Sequence, residues 1–183
     1  MCSSDLYIAL HVKEKDGEWR INTLKDFTRE KGTRSEQLSQ LAWLVGEWVS
    51  EDPSSVVHTT CKWSDDGNFL LRRFTVKIAG RAVMNGVQRI GWDPIRRELR
   101  SWVFDSEGGY VEGTWKRNGD QWLVTSRGFN AAGDAASGVA VYTIFDAERI
   151  TWQYRNLVVG NELREDTAPI VMVRRPPAAQ LAK

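Results

Sequence analysis

Turn signals recur at a nearly constant interval along most of this chain. From residue 46 onward, pairs of turn-forming residues follow one another at steps of roughly a dozen to fourteen residues. The segments between these pairs are rich in Val, Ile, Phe, Thr, Trp and Tyr, which favour pleated strands. Roughly ten strands are expected from the turn pairs Pro53-Ser54, Asp66-Gly67, Ala79-Gly80, Asp93-Pro94, Gly108-Gly109, Asn118-Gly119, Gly133-Asp134, Asp146-Ala147 and Gly160-Asn161.

Sequential strands joined by short turns are most simply an up-and-down meander, and a long meander removes its exposed edges by closing on itself. We therefore predict an all-β fold, an antiparallel up-and-down β-barrel over residues 36–177. The run Arg174-Arg-Pro-Pro177 should end the last strand, because proline cannot donate to a ladder. Residues 178–183 are then a frayed tail.

The segment before the barrel has a different pattern. Two β-rich runs, 7–13 and 18–24, flank Lys15-Asp16-Gly17, and an Asp-Gly turn between such runs predicts a β-hairpin within residues 1–27. The charged residues 28–35 are interpreted as a linker. Ser35 is then expected to be the N-cap of a short amphipathic helix that runs through Val45 and ends at Gly46.

Composition argues against several partners. Lys and Arg total 25 against 24 Asp and Glu, so no field of one sign exists to attract nucleic acid or an anionic membrane surface. No apolar run is long enough for a membrane span, and the first residues lack a signal-peptide pattern. We expect a soluble protein without nucleic-acid or membrane partners. The sequence carries no signal for an oligomeric state.

The common cofactor and metal motifs are missing, among them G-x-G-x-x-G, the P-loop, H-E-x-x-H, G-x-S-x-G and cysteine pairs at zinc spacing. We therefore expect no cofactor and no metal. Cys61 is interpreted as a small buried hydrophobe, and His58 as a sheet-surface residue rather than a ligand contact. Asp105 and Glu112 could form an acid-base pair across a hairpin, with ordinary surface carboxylates as the favoured alternative.

A closed sheet of this size either fills with side chains or holds one small ligand. Polar groups beside tryptophans could orient a ligand in an apolar lumen. On this basis the predicted ligand-binding residues are Gln88, Trp102, Gln153 and Arg155. Guanidinium groups inside the lumen could hold a carboxylate or phosphate, although an outward, solvated face is favoured for the candidate arginines Arg72, Arg73, Arg89, Arg100 and Arg155.

The segment Leu41-Ala-Trp-Leu-Val-Gly-Glu-Trp48 resembles the entry to calycin-type barrels, in which a short helix runs into a Gly-x-Trp at the first strand. Supporting matches occur in the order seen in a bacterial lipocalin-like family of uncharacterised barrels, at Gln88-Arg-Ile-Gly-Trp-Asp-Pro94, Ser101-Trp-Val-Phe-Asp-Ser-Glu-Gly-Gly109 and Glu112-Gly-Thr-Trp115. The resemblance implies that Trp48 plugs the closed end of the barrel. Nitrobindin-like relatives bind haem through a histidine late in the barrel, and no histidine follows His58, so haem binding of that type is not expected.

The hairpin segment Val12-Lys-Glu-Lys-Asp-Gly-Glu-Trp-Arg-Ile21 resembles the last two strands of a SnoaL-like domain, related to nuclear transport factor two. Proteins in which such a domain precedes this barrel are labelled oxidoreductases of the SgcJ/EcaC type. The segment Cys2-Ser-Ser-Asp-Leu6 matches the translation of a sequencing adapter, which suggests a truncated gene fragment. The alternative is a native disordered terminus.

These observations lead to one functional expectation and two rivals. The leading hypothesis is a non-enzymatic barrel that binds a small hydrophobic or amphipathic molecule, accessory to a missing SnoaL-like domain. One rival is a fragment of an enzyme whose catalytic site lies in that missing domain. The other is a purely structural barrel with a packed interior. A secreted or periplasmic location follows if a signal peptide was lost with the N-terminus.

Overall fold

The computed structural model describes residues 7–13, 15–26, 33–52 and 54–176. The chain divides into two compact units, residues 1–33 and 34–183. Most of the predicted linker, at residues 28–32, and the predicted tail at 178–183 lie outside the described residues. None of the helices in the described ranges is long and apolar enough to cross a membrane.

The first unit contains the predicted β-hairpin. Strands β1 (Tyr7–Lys13) and β2 (Trp19–Asp26) pair antiparallel, with an irregularity in register at Leu10 and His11. Gly17 has a φ of 86°, a conformation that glycine adopts without the steric cost of a side chain. The Asp-Gly signal therefore marks the turn for a local steric reason.

The second unit is a closed antiparallel barrel of ten strands, which confirms the predicted fold class. The ten positions are filled by eleven strand segments, which are β3 (Gly46–Glu51), β4 (Val56–Trp63), β5 (Phe69–Ile78), β6 (Arg81–Asp93), β7 (Glu98–Asp105), β8 (Tyr110–Asn118), β9 (Gln121–Phe129), β10 (Ala135–Ile144), β11 (Arg149–Val159), β12 (Glu162–Leu163) and β13 (Ile170–Arg174). From β3 to β11 each strand pairs with the next along the chain, β11 also pairs with β13, and β13 pairs with β3 to close the ring.

The tenth position of the ring is one interrupted strand. Both β12 and β13 run antiparallel to β11, with Leu163 opposite Val158 and Ile170 opposite Trp152. Between them, the Thr167 amide donates to the Tyr154 carbonyl at 3.0 Å. The meander therefore stays up-and-down to its end. Strand β13 stops at Arg174, as the following prolines predict.

Helix α1 (Thr33–Ser39) and a single 3₁₀ turn (Ala42–Leu44) lie at one end of the barrel. The buried side chains of Leu38, Leu41 and Leu44 belong to the same core as inward residues of the barrel strands. We call this the closed end. The prediction of one helix through Val45 is wrong. The Leu41 amide donates to the Leu38 carbonyl and the Leu44 amide to the Leu41 carbonyl, and these i→i+3 bonds keep the three leucines on one face. Ser35 is not the N-cap, since α1 already begins at Thr33.

The Gly-x-Trp segment lies at the closed end, where the resemblance predicted it. Gly46 has a φ of 121°, and the buried Trp48 donates from Nε1 to the Leu44 carbonyl at 3.0 Å. The Arg174 guanidinium stacks over the Trp48 ring, with its carbon 4.3 Å from the ring centroid. The same guanidinium donates to the backbone carbonyls of Trp43, Val45 and Ala147. Trp48 and Arg174 therefore join the first and last strands of the barrel to the 3₁₀ turn.

Candidate functional site

The barrel encloses a cavity of about 430 Å³. Its lining includes Asp52 and Ser55 in the β3–β4 turn, which lies at the end of the barrel opposite α1; we call this the open end. Ligand pockets in proteins typically measure about 300–1,000 Å³, so the lumen is large enough for a small molecule. The interior is therefore not filled by side chains.

Apolar side chains form most of the wall between the centre of the lumen and the open end. They alternate along the strands with outward residues, as the pleat requires. The main contributors are Val57, Phe74, Val76, Met84, Val103 and Val111. Two indole rings, from Trp115 and Trp152, also line the cavity.

One guanidinium group lies inside this apolar wall. Arg72 follows the buried Leu70 and precedes Phe74 on the inward face of β5. Its Nη1 donates to Gln88 Oε1 at 2.8 Å and to the Tyr142 hydroxyl at 3.4 Å. Its Nε is buried and has no hydrogen-bond partner in the part of the chain that the structure describes. Arg72 forms no ion pair with any residue that the structure describes.

Two ionisable side chains near Arg72 keep their protons at physiological pH. Burial raises the pKa of Tyr154 to about 12, with Tyr142 adding to the increase and Arg72 opposing it. Burial likewise raises the pKa of Cys61 to about 11, again against the influence of Arg72. Tyr154 therefore keeps its proton and can donate a hydrogen bond into the lumen.

A carboxylate lies at the other end of the cavity. Asp52 accepts hydrogen bonds from the hydroxyl and amide groups of Ser54 and Ser55, at 2.7 to 2.8 Å. These bonds, the Ser54 hydroxyl first, lower the pKa of Asp52 to about 2. The lumen therefore has a positive group near its base and a negative group at its mouth.

The structure separates the four residues predicted to bind ligand. Gln88 lines the cavity beside Arg72. Trp102 follows Ser101 and precedes Val103, which both face inward, so Trp102 lies on the outer face with Arg100 near its ring.

Gln153 lies between the inward residues Trp152 and Tyr154, so its side chain is on the outer face of β11. Arg155 is exposed on the same face, with its guanidinium against the Gln153 carboxamide. Only Gln88 of the predicted set therefore faces the lumen. Ligand contact by any of these residues stays a prediction.

Four of the five candidate arginines also lie outside. Arg73 is exposed, and Arg89 stacks on Phe69 with its guanidinium carbon 4.7 Å from the ring centroid. Arg100 pairs on the outer face with Glu112 at 2.7 Å. Arg72 alone of the five faces the cavity, so the favoured outward face is wrong for this residue. Its neighbours Tyr142 and Tyr154 were not among the predicted ligand contacts. The register that places Arg72 opposite Gln88 would identify this group, and strand register is not visible in the sequence.

The acid-base pair considered for Asp105 and Glu112 does not form. Glu112 lies opposite Trp102 on the outer face, and its carboxylate accepts from Arg100 and from Arg127 Nε at 2.7 Å each. The Arg127 hydrogen bond is the main cause that lowers the pKa of Glu112. The Asp105 carboxylate instead accepts the Gly109 amide of its own turn at 2.8 Å. Both carboxylates therefore accept hydrogen bonds from other partners.

His58 and Cys61 occupy the positions expected of them. His58 lies between Val57 and Thr59, which both line the cavity, so it is on the outer face of β4. Cys61 is buried in the main core. Within the described ranges, no group of three or more His, Cys, Asp or Glu side chains is placed to hold a metal ion.

Comparison with known proteins gives no assignment. No protein-family description matches the chain, and no curated protein matches it significantly. The geometry of the lumen is therefore the basis for a functional conclusion.

Proposed function

We propose that this chain is a non-enzymatic binding barrel that takes one small hydrophobic or amphipathic molecule into its lumen. The observation that carries the proposal is the cavity of about 430 Å³, open at one end and walled mainly by apolar side chains. Burial of apolar ligand surface contributes roughly 25 cal/mol per Å², which is the main driving force such a wall can supply. The few polar groups then orient the ligand.

Binding rather than catalysis is supported by the titratable groups of the lumen. General acid-base catalysis works best when a group exchanges its proton near the operating pH. Burial moves the pKa of Tyr154 upward, to about 12, and hydrogen bonds move that of Asp52 downward, to about 2. Neither group is suited to proton transfer at neutral pH.

We also propose the family relationships that the sequence resemblances imply. We assign the barrel to the lipocalin-like, calycin-type group, and the N-terminal hairpin to the end of a SnoaL-like domain of the SgcJ/EcaC type. Support for this comes from the Gly46-to-Trp48 entry at the closed end and from the hairpin turn at Gly17. The barrel then acts as the ligand-binding accessory of that domain.

Titration with an anilinonaphthalene dye tests the proposal. Trp115 and Trp152 line the lumen, so a bound dye should quench tryptophan emission in a saturable way. Val103→Trp should fill the cavity and abolish dye binding, because Val103 faces inward. Val87→Trp is the matched control, since Val87 is exposed on the neighbouring strand, and it should bind dye normally.

Circular dichroism would establish that both variants fold, and Val111→Phe replaces Val103→Trp if the larger side chain is not tolerated. Equal dye binding by the inward and outward variants would contradict the proposal. Failure of the parent protein to bind any dye would instead favour a structural barrel.

A further inference from the structure

We infer that the lumen selects amphiphiles with a single carboxylate, which binds Arg72 at the base of the cavity while the apolar part extends toward the open end. This inference rests on the proposed function, because the lumen must first accept a ligand. It adds the chemical class of the headgroup and the direction in which the ligand lies.

The Arg72 guanidinium has no carboxylate partner among the described residues. A guanidinium is protonated at every physiological pH, and a charge surrounded by apolar groups is unfavourable unless it is paired. Among the described residues, the hydrogen-bond partners of Arg72 are the Gln88 carboxamide oxygen and the Tyr142 hydroxyl, and its buried Nε has none. A ligand carboxylate would supply the missing negative charge, in the bidentate geometry that guanidinium groups favour.

The single positive charge of Arg72 fits a headgroup with one negative charge better than a headgroup with two. Arg72 carries one positive charge, and its polar neighbours in the inner part of the lumen include no carboxylate among the described residues; they are Gln88, Ser101, Tyr142 and Tyr154. A carboxylate balances one guanidinium. A phosphate monoester, with up to two negative charges, would leave charge uncompensated against an apolar wall.

The position of Arg72 on β5 sets the direction in which a ligand would lie in the lumen. On β5, Leu70 belongs to the core at the closed end, and Arg72 is the next residue on the same inward face. Phe74 and Val76 follow on that face toward the open end. The strand rises about 13 Å from Arg72 to Val76, which is room for an extended apolar chain. The negatively charged Asp52 at the mouth disfavours an acid group there. The acid group therefore lies inward and the apolar chain outward.

Displacement of the bound dye by four ligands with the same chain tests the inference: decanoate, 1-decanol, decylamine and decyl phosphate. We expect decanoate to bind at least about tenfold more tightly than decanol, because a hydrogen-bonded charged pair replaces a neutral contact. Decylamine should bind more weakly than decanol, and decyl phosphate more weakly than decanoate.

Arg72→Leu should abolish the preference for decanoate over decanol while decanol still binds. Arg73→Leu is the matched control, because Arg73 is the adjacent residue and is exposed on the outer face. It should keep the full preference. Arg72→Gln serves the same purpose if the leucine variant does not fold.

The outcomes separate the two proposals. Decanol and decanoate binding equally, or a preference that survives in Arg72→Leu, would overturn the headgroup assignment and leave the binding barrel intact. Decyl phosphate binding more tightly than decanoate would overturn the assignment to a carboxylate. Failure of the dye and all four ligands to bind would overturn both proposals.

Discussion

Arg174 links the last strand of the barrel to the 3₁₀ turn, and we expect Arg174→Met to weaken that link and destabilise the barrel. The guanidinium donates to three backbone carbonyls, at Trp43, Val45 and Ala147, and stacks over Trp48. Methionine keeps much of the apolar stem but removes every donor and the charge. The 3₁₀ turn then loses its link to the last strand.

The expected loss follows from these contacts. A hydrogen bond from a charged group contributes about 1.5–3 kcal/mol, and a cation–π contact about 0.5–2 kcal/mol. The Arg174 side chain is 23 % exposed, so water can satisfy part of what the substitution leaves unpaired. We expect a net loss of about 3 kcal/mol in the free energy of unfolding. For a chain of this length, that corresponds to a fall in Tm of about 6–12 °C.

Urea and thermal unfolding, followed by tryptophan emission, measure this loss. Arg175→Met is the matched control, because the neighbouring Arg175 is exposed and its nearest ion-pair contact, with Glu47, is 4.0 Å long. An exposed pair of this kind contributes at most about 1 kcal/mol. A loss of under about 1 kcal/mol in Arg174→Met, or equal losses in the two variants, would refute the reasoning.

Two further predictions concern the same core. Gly46→Ala should lower the free energy of unfolding by about 2–3 kcal/mol, because its φ of 121° disfavours a side chain and the new methyl would overlap the Arg174 guanidinium. At Gly67 the φ is 68° but no atom of the described residues lies within 4 Å of an added Cβ, so Gly67→Ala should cause a smaller loss, measured by urea unfolding. Burial raises the pKa of Cys61 from 9.0 to about 11, so the stability this thiol contributes is complete below about pH 9 and is lost as pH rises through about 11. In a Cys2→Ser background, alkylation of Cys61 at mildly alkaline pH should therefore follow global unfolding; rapid alkylation of the native protein would contradict the burial argument.

The strand boundaries were predictable because their causes are local. Gly67 and Gly119 have φ angles of 68° and 64°, which glycine adopts without steric cost, and each follows an Asp or Asn that suits a turn. The β-rich composition between turns is equally local. These two signals were sufficient to predict the barrel and its ten strands.

The inward face of each strand was not predictable by the same means. On β5, Leu70 and Leu71 precede Arg72 and Arg73, so both faces carry the same types of residue. Period-two alternation distinguishes two faces only when their polarities differ. The closure of the ring then places Arg72 inside and Arg73 outside.

Strand β7 shows why hydrophobicity alone misleads. The polar Ser101 faces inward and the larger, apolar Trp102 faces outward, which reverses the usual preference. Ser101 is satisfied inside because its hydroxyl accepts a hydrogen bond from Trp115 Nε1 at 2.9 Å. Trp102 contacts the Arg100 guanidinium outside. Both partners lie on the same or the next strand, but only the pleat and the register reveal the contacts.

The sequence by itself determined an all-β chain, the positions of its turns and the antiparallel course of its strands, since these depend on the conformations of neighbouring residues. The tertiary structure decided that the lumen stays open and that Arg72, Gln88, Tyr142 and Tyr154 meet inside it. Their meeting depends on register and ring closure, which join residues as far apart as β5 and β11. The proposed ligand chemistry therefore depends on contacts between residues that are distant along the chain.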